Sequence, residues 1–275
     1  MSMIVANHRL SLGHDGASHW HCPAAVRVLI AIVMAATIYG INVSAQAEDR
    51  RTESNGRAWY MYFGDHPIRN NSPWGFHFDG QLRMEGAFER RNQLLLRPGL
   101  NYDLNETVQF SGGYAFINTN PPEESPPNFD VPENRVWQQL ILRQRVGTVG
   151  LTHRYRLEQR FIGNVTGNDA GEGEVLDHFH VNRFRYFIKG TVPLYRDDRY
   201  VAFYNELMVG FGDNVKRNIF DQNRAYGAIG FRTGPSTSFE IGYLLQTVQS
   251  PTGNVIQHNH TFQLGYFTSR PLWPR

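Results

Sequence analysis

Residues Val149 to Phe161 read VGLTHRYRLEQRF. Arg154, Arg156, Glu158 and Arg160 fall on every second position, and Leu151, Tyr155, Leu157 and Phe161 fall on the opposite parity. Side chains of a strand alternate between two faces, so a period of two reads as a strand with one charged and one apolar face. In a soluble sheet the apolar face turns inward; in a membrane barrel the faces are exchanged and the charges line the interior. Unpaired charge is too costly to bury in an apolar core. The density of charge here therefore favours the exchanged arrangement. His153 and Gln159 share the apolar face and are its two exceptions.

The same alternation recurs along the chain in segments of about ten residues, the pattern of a transmembrane β-barrel. Trp74, Phe76, Phe78, Leu82 and Met84 oppose His77, Asp79, Gln81, Arg83 and Glu85. Leu94, Leu96, Leu100 and Tyr102 oppose Arg97, Asn101 and Asp103, and Val108, Phe110, Tyr114 and Phe116 oppose Gln109 and Ser111. Further on, Val136, Leu140 and Leu142 oppose Arg135, Gln139, Arg143 and Arg145; Phe184, Tyr186 and Ile188 oppose Arg183, Arg185 and Lys189. The last four segments set Val201, Leu207, Ile229, Phe231, Phe239, Ile241, Phe262 and Leu264 against Tyr204, Glu206, Arg224, Arg232, Glu240 and Gln246, with Asn205 breaking the apolar face.

Short connections at 105–106, 147–150, 195–198 and 234–236 alternate with longer ones, rich in Gly, Pro and Asn, at 119–132, 162–175, 212–222 and 249–256. A short turn is expected near residues 89–92. Outer-membrane barrels join strands by short periplasmic turns and longer extracellular loops. The expectation is ten antiparallel strands with both ends periplasmic, with twelve as the alternative. The segment AWYMYF (58–63) is left over: a short periplasmic strand, an interior plug, or one of two further wall strands. A soluble periplasmic barrel or sandwich is the competing fold.

Residues 28–39 form an apolar run of twelve, VLIAIVMAATIY, after Arg27 and before Ala45-Gln46-Ala47. That is the form of a secretory signal peptide cleaved after residue 47. The run is too short for a spanning helix, which takes about 20 residues. The leader is long, and translation from Met3 is an alternative start. Cys22, the chain's one cysteine, precedes the apolar run and so is misplaced for lipidation. Residues 48–267 are then the barrel and 268–275 a C-terminal tail.

The leader holds Arg9, Arg27 and Asp15, so of 27 basic and 25 acidic residues the remainder is one charge from neutral. That balance excludes the strong basic excess of a nucleic-acid binder. Only Lys189 and Lys216 are lysines. Arginine, with its planar fork of donors, suits fixed pairing in confined places.

The inward charges expected to share a narrow lumen are Arg83, Glu85, Arg97, Asp103, Arg143, Arg145, Arg154, Arg156, Glu158, Arg160, Arg183, Arg185, Glu206, Arg224, Arg232 and Glu240. They either pair into a filling ion network or leave a narrow anion-favouring passage, since arginines outnumber acids. Catalytic signals are thin. HFH (178–180) and HNH (258–260) each put two histidines on one face without a third ligand, so no metal or other cofactor is implied. A lipid-modifying enzyme would need a serine–histidine pair. The nearest is Ser250 with His258.

The runs HRYRLEQRF (153–161), VNRFRYFIKGTVPL (181–194), AFYNELMVGF (202–211), FDQNRAYGAIGF (220–231) and HNHTFQLGYF (258–267) resemble the domain of unknown function 2490 family. The resemblance spans residues 56–267. It implies a bacterial protein with a signal peptide and an outer-membrane barrel. The barrel is expected to be a monomer in contact with outer-membrane lipid and lipopolysaccharide. It implies no catalytic residue. It also implies that Phe267 ends the last strand as the aromatic read by the barrel-assembly machinery, although eight residues follow it here.

Overall fold

The alternating segments form eleven strands in the computed structural model, which describes residues 51–273 apart from 87, 122–127, 169–170, 195–197 and 216–217. The predicted signal peptide, with Cys22, lies outside the described residues. The strands are β1 (Arg51–Pro67), β2 (Trp74–Glu85), β3 (Arg90–Asp103), β4 (Val108–Thr119), β5 (Val131–Val146), β6 (Val149–Gly167), β7 (Gly173–Pro193), β8 (Arg199–Phe211), β9 (Phe220–Gly234), β10 (Thr237–Gln249) and β11 (Val255–Thr268). Each pairs with its neighbour in sequence, and β1 pairs with β11 to close a barrel. Closure leaves no sheet edge with unpaired backbone.

The count is eleven, not ten or twelve. AWYMYF is the centre of β1, a full wall strand, and the seam it makes with β11 is parallel, from Arg51 opposite Val255 to Gly64 opposite Thr268. The other pairings are antiparallel. With an odd number of strands, one seam must be parallel. The two ends of the wall consequently lie at opposite rims, which corrects the expectation that both lie at one. β1 begins at the rim that carries the connections at 86–89, 120–130, 168–172, 212–219 and 250–254. β11 ends at the rim of the short turns. The tail then folds back on the β1–β2 turn, where Leu272 and Trp273 donate their N–H groups to the carbonyls of Pro67 and Ile68 (2.9 and 3.1 Å).

The parallel seam can be tested by cross-linking. Tyr60 lies opposite Leu264, and Ile256 lies opposite Thr52. A Tyr60→Cys, Leu264→Cys double variant is expected to form a disulfide, which requires Cα atoms within about 7 Å. Tyr60→Cys with Ile256→Cys is expected to stay open. The reverse result on a non-reducing gel would remove the seam.

Alternation sets the two faces. Large apolar side chains stand exposed on the outside, among them Leu82, Leu96, Phe110, Val136, Leu157, Phe184, Leu207, Ile229, Ile241 and Phe262. The segment read as a loop at 162–175 is largely strand: β6 and β7 stay paired to Gly167 and Gly173, beyond the last contacts of β6 with β5 (Ile162) and of β7 with β8 (Asn182). This hairpin projects past the long-loop rim and carries His178 and His180 on its exposed stretch.

One break in the ladder explains an inward tryptophan. The β3–β4 register on either side puts Pro98 opposite Tyr114, and that slot is unpaired. Proline has no N–H to give. Trp137 of β5 supplies the missing donor, its Nε1 reaching the Tyr114 carbonyl at 3.1 Å. Its ring lies against Gly99 and Gly113, where an added Cβ would come within 2.5 and 3.0 Å of it. Only glycine leaves room for the indole there.

Candidate functional site

The inside of the barrel is a layered assembly of charge. Glu158 of β6 is its centre and has no solvent exposure. Five guanidiniums surround its carboxylate: Arg183 at 2.5 Å, Arg185 at 2.7 Å, Arg135 at 3.7 Å, Arg97 at 3.8 Å and Arg156 at 3.9 Å. These come from three other strands, β3, β5 and β7, and from β6 itself. Pairs so far apart in sequence meet because the wall is closed. Glu206 on β8 holds Arg154 and Arg185, each at 2.7 Å, and Arg224 at 3.3 Å. Glu133 takes Arg135 at 2.5 Å and Arg160 at 2.6 Å. Asp221 takes Arg183 at 2.7 Å, and Asp79 takes Arg97 at 2.5 Å.

Of the inward charges expected from sequence, Arg97, Arg154, Arg156, Glu158, Arg160, Arg183, Arg185, Glu206 and Arg224 meet in this layer. Arg83 joins it without a carboxylate: its guanidinium bonds the amide oxygens of Gln81 and Gln93 and lies 4.0 Å from the Trp59 ring centre. Six others, Glu85, Asp103, Arg143, Arg145, Arg232 and Glu240, stand apart. Glu85 pairs with Arg90 at the long-loop rim. Arg143 is half exposed and 3.7 Å from Asp103 at the short-turn rim, and Arg145 is exposed there. Glu240 lies nearer the short-turn end, where it accepts from Lys189 and from the Tyr200 hydroxyl. Arg232 stacks on Tyr200 at 4.7 Å.

Alternation carried no partner information, so the sequence reading passed over Asp79, Glu133, Arg135 and Asp221 as members. Asp221 fell in an expected loop, and Glu133 just outside an expected strand. Two inward apolar clusters were missed as well: Leu95, Ala115, Ile117 and Trp137, and Trp59, Met61, Tyr226, Ala228 and Leu244. Phe267 turns inward, stacked on Phe63 at 5.1 Å and under the Lys189 ammonium at 4.7 Å.

At mid-height each of the eleven strands contributes an inward side chain with at most 9% of its surface exposed, including Trp59, Arg83, Leu95, Ile117, Gln139, Glu158, Arg185, Met208, Arg224, Leu244 and Gln263. Above the layer, towards the long-loop rim, is a cavity of about 1110 Å³ whose walls include eight arginines and two carboxylates, Glu133 and Asp221. At that rim Asp130 accepts from Arg91, Asn118 and Asn120. Burial works against its charge, but these donors hold its carboxyl below the usual range.

The serine and histidine considered for lipid chemistry bond other groups. Ser250 Oγ caps its own turn by accepting the Val255 N–H at 3.1 Å, while His258 Nδ1 meets the Thr247 hydroxyl at 3.2 Å. Among the described residues no three His, Cys, Asp or Glu side chains group as metal ligands.

The family model described as "Protein of unknown function (DUF2490)" matches residues 56–257. The chain belongs to the DUF2490 family. This DUF2490 protein is 26% identical over 194 residues to an uncharacterized protein of Methylorubrum extorquens, covering 68% of the chain and 77% of that relative. Among solved structures it is similar to the NanC porin, at a TM-score of 0.41 and 10% identity over 73% of this chain and 92% of the porin. It is also similar to OccK8 (OprE) of Pseudomonas aeruginosa, at a TM-score of 0.33 and 12% identity over 67% and 56% of the two chains.

Proposed function

We propose that this DUF2490 protein is a bacterial outer-membrane barrel whose interior is closed at mid-height by paired charge, with a structural or anion-handling role and no catalysis. The carrying observation is the exchange of faces: arginines and carboxylates are buried inside, and the exposed apolar residues stand outside on successive strands. In water that arrangement exposes the apolar side and has nothing to bury it against; in hydrocarbon it is the favourable one.

Two further features support the reading. Polar groups on the outward face bond one another. Gln138 and Gln159 exchange amide hydrogen bonds (3.1 and 3.3 Å), as do Asn205 and Asn223 (3.1 and 3.0 Å). His153 meets Gln144 at 3.0 Å and the Tyr186 hydroxyl at 2.9 Å. Water would satisfy these groups unaided; hydrocarbon would not. Outward aromatics also form a row near the short-turn rim, Phe110, Tyr102, Trp74, Tyr62, Tyr266, Phe239 and Phe231 on seven adjacent strands, with Trp74 4.8 Å from Tyr102 and Phe239 4.7 Å from Tyr266. Such girdles mark a membrane interface.

The expected signal peptide agrees with export. With the longer loops outward, the cavity opens to the cell exterior. The protein is expected in the outer-membrane fraction, with mobility on a gel that changes on heating, and to give no steady conductance in a planar bilayer. Recovery as a soluble periplasmic protein would sink the reading. A steady anion-selective conductance would leave the location intact and replace the closed interior by a passage.

A further inference from the structure

We infer that the cavity above the Glu158 layer is a binding site for a phosphate-bearing polyanion. Three buried N–H donors, Arg57 Nε, Trp59 Nε1 and Arg97 Nε, have no acceptor among the described residues. All three residues line this one cavity. A buried donor without an acceptor is costly, and several at one cavity point to a ligand that supplies acceptors. The indole of Trp59 cannot shift to find one, because Arg83 and Arg224 lie against its ring at 4.0 and 4.9 Å.

Charge points the same way. In the connected layer the guanidiniums of Arg83, Arg97, Arg135, Arg154, Arg156, Arg160, Arg183, Arg185 and Arg224 face the carboxylates of Asp79, Glu133, Glu158, Glu206 and Asp221, nine against five. An excess of buried cations is expensive unless an anion enters with them. Arg57 and Arg83, both on the cavity wall, make no ion pair within 4 Å among the described residues. The donors come from β1, β2, β3 and β9, from several directions. A flat carboxylate offers acceptors in one plane. A phosphoryl group offers them in three dimensions, and a diphosphate also offsets most of the excess charge. Guanidinium groups are the usual partners of such oxyanions.

The chemistry is shared by a soluble phosphorylated solute and by the phosphates of a lipid headgroup, and the site stands at the long-loop rim, where either could enter. This inference gives a ligand class to the interior described above. Its test is made on the full-length chain purified in detergent, so its failure is separate from a failure of the outer-membrane assignment, which fractionation reads. Inorganic pyrophosphate, titrated by calorimetry at low salt, is expected to bind and to raise the temperature of the heat-induced gel shift. Arg57→Gln removes a group with no ion pair within 4 Å among the described residues and should weaken binding roughly tenfold or more while the folded mobility is kept. Arg145→Gln removes the same charge at the opposite rim and should leave affinity unchanged. A diphosphorylated lipid A added in micelles identifies the source: if pyrophosphate competes with it the headgroup is the ligand, and if only pyrophosphate binds the ligand is soluble. No binding of pyrophosphate by the folded wild-type chain, or equal losses in Arg57→Gln and Arg145→Gln, overturns the proposal.

Discussion

Replacing Glu158 by Gln is expected to destabilise the barrel by about 3–5 kcal/mol, the usual cost of removing one partner from a buried ion pair. The volume and shape of the side chain are nearly kept, so the effect isolates its charge. Five guanidiniums lie within 4 Å of this carboxylate, and Arg97, Arg135, Arg156, Arg183 and Arg185 are all buried, so each loses a charge partner that little solvent replaces. With the carboxylate gone, Arg156 keeps only its bonds to the Gln139 amide oxygen at 2.9 and 2.5 Å and its place near the Trp137 ring. Arg185 keeps Glu206, and Arg183 keeps Asp221. Glu85→Gln at the rim is the matched control. Its partner Arg90 is partly solvated, and exposed pairs contribute about 0–1 kcal/mol. Urea titration followed by the heat-dependent gel shift measures both. Equal stability of Glu158→Gln and wild type would show that the central carboxylate does not hold the interior together.

Leu157→Arg is expected to cost about 2–4 kcal/mol in a lipid vesicle, whereas Leu104→Arg should cost no more than about 1 kcal/mol. Both side chains are exposed and outward-facing. Leu157 sits at the height of the Glu158 layer, between Gln138 and Phe184 of the neighbouring strands. Leu104 stands at the short-turn rim, beside the aromatic row. A charge at mid-height has no route to water, while one at the rim reaches the headgroups. A soluble barrel makes the opposite forecast: both substitutions would be surface changes worth at most about 0.5 kcal/mol. Folding yields into vesicles, measured against urea, separate the two. Equal and small effects at both depths would argue that the outward face does not meet hydrocarbon.

These forecasts rest on two kinds of information. VGLTHRYRLEQRF was enough to say that Arg154, Arg156, Glu158 and Arg160 share one face and Leu157 the other. Pleating makes that a local property of the chain, and the same parity holds for Arg97, Arg183, Arg185, Glu206 and Arg224. His153 and Gln159, exceptions in the pattern, take their meaning from strands they do not belong to: Gln159 from Gln138, His153 from Gln144 and Tyr186.

Strand number and partner choice were not local. AWYMYF has the alternation of any wall strand, but its pairing with a strand about two hundred residues away, in parallel, depends on how the closed sheet is staggered. The same stagger brings five arginines to Glu158, takes Arg143, Arg145 and Glu85 away to the rims, and sets Phe267 against Phe63. The sequence by itself determined the faces of the strands, because a side chain's direction follows from its parity. Only the tertiary structure decided what meets inside, because contacts across a barrel are fixed by closure and register, and neither is written in any one segment.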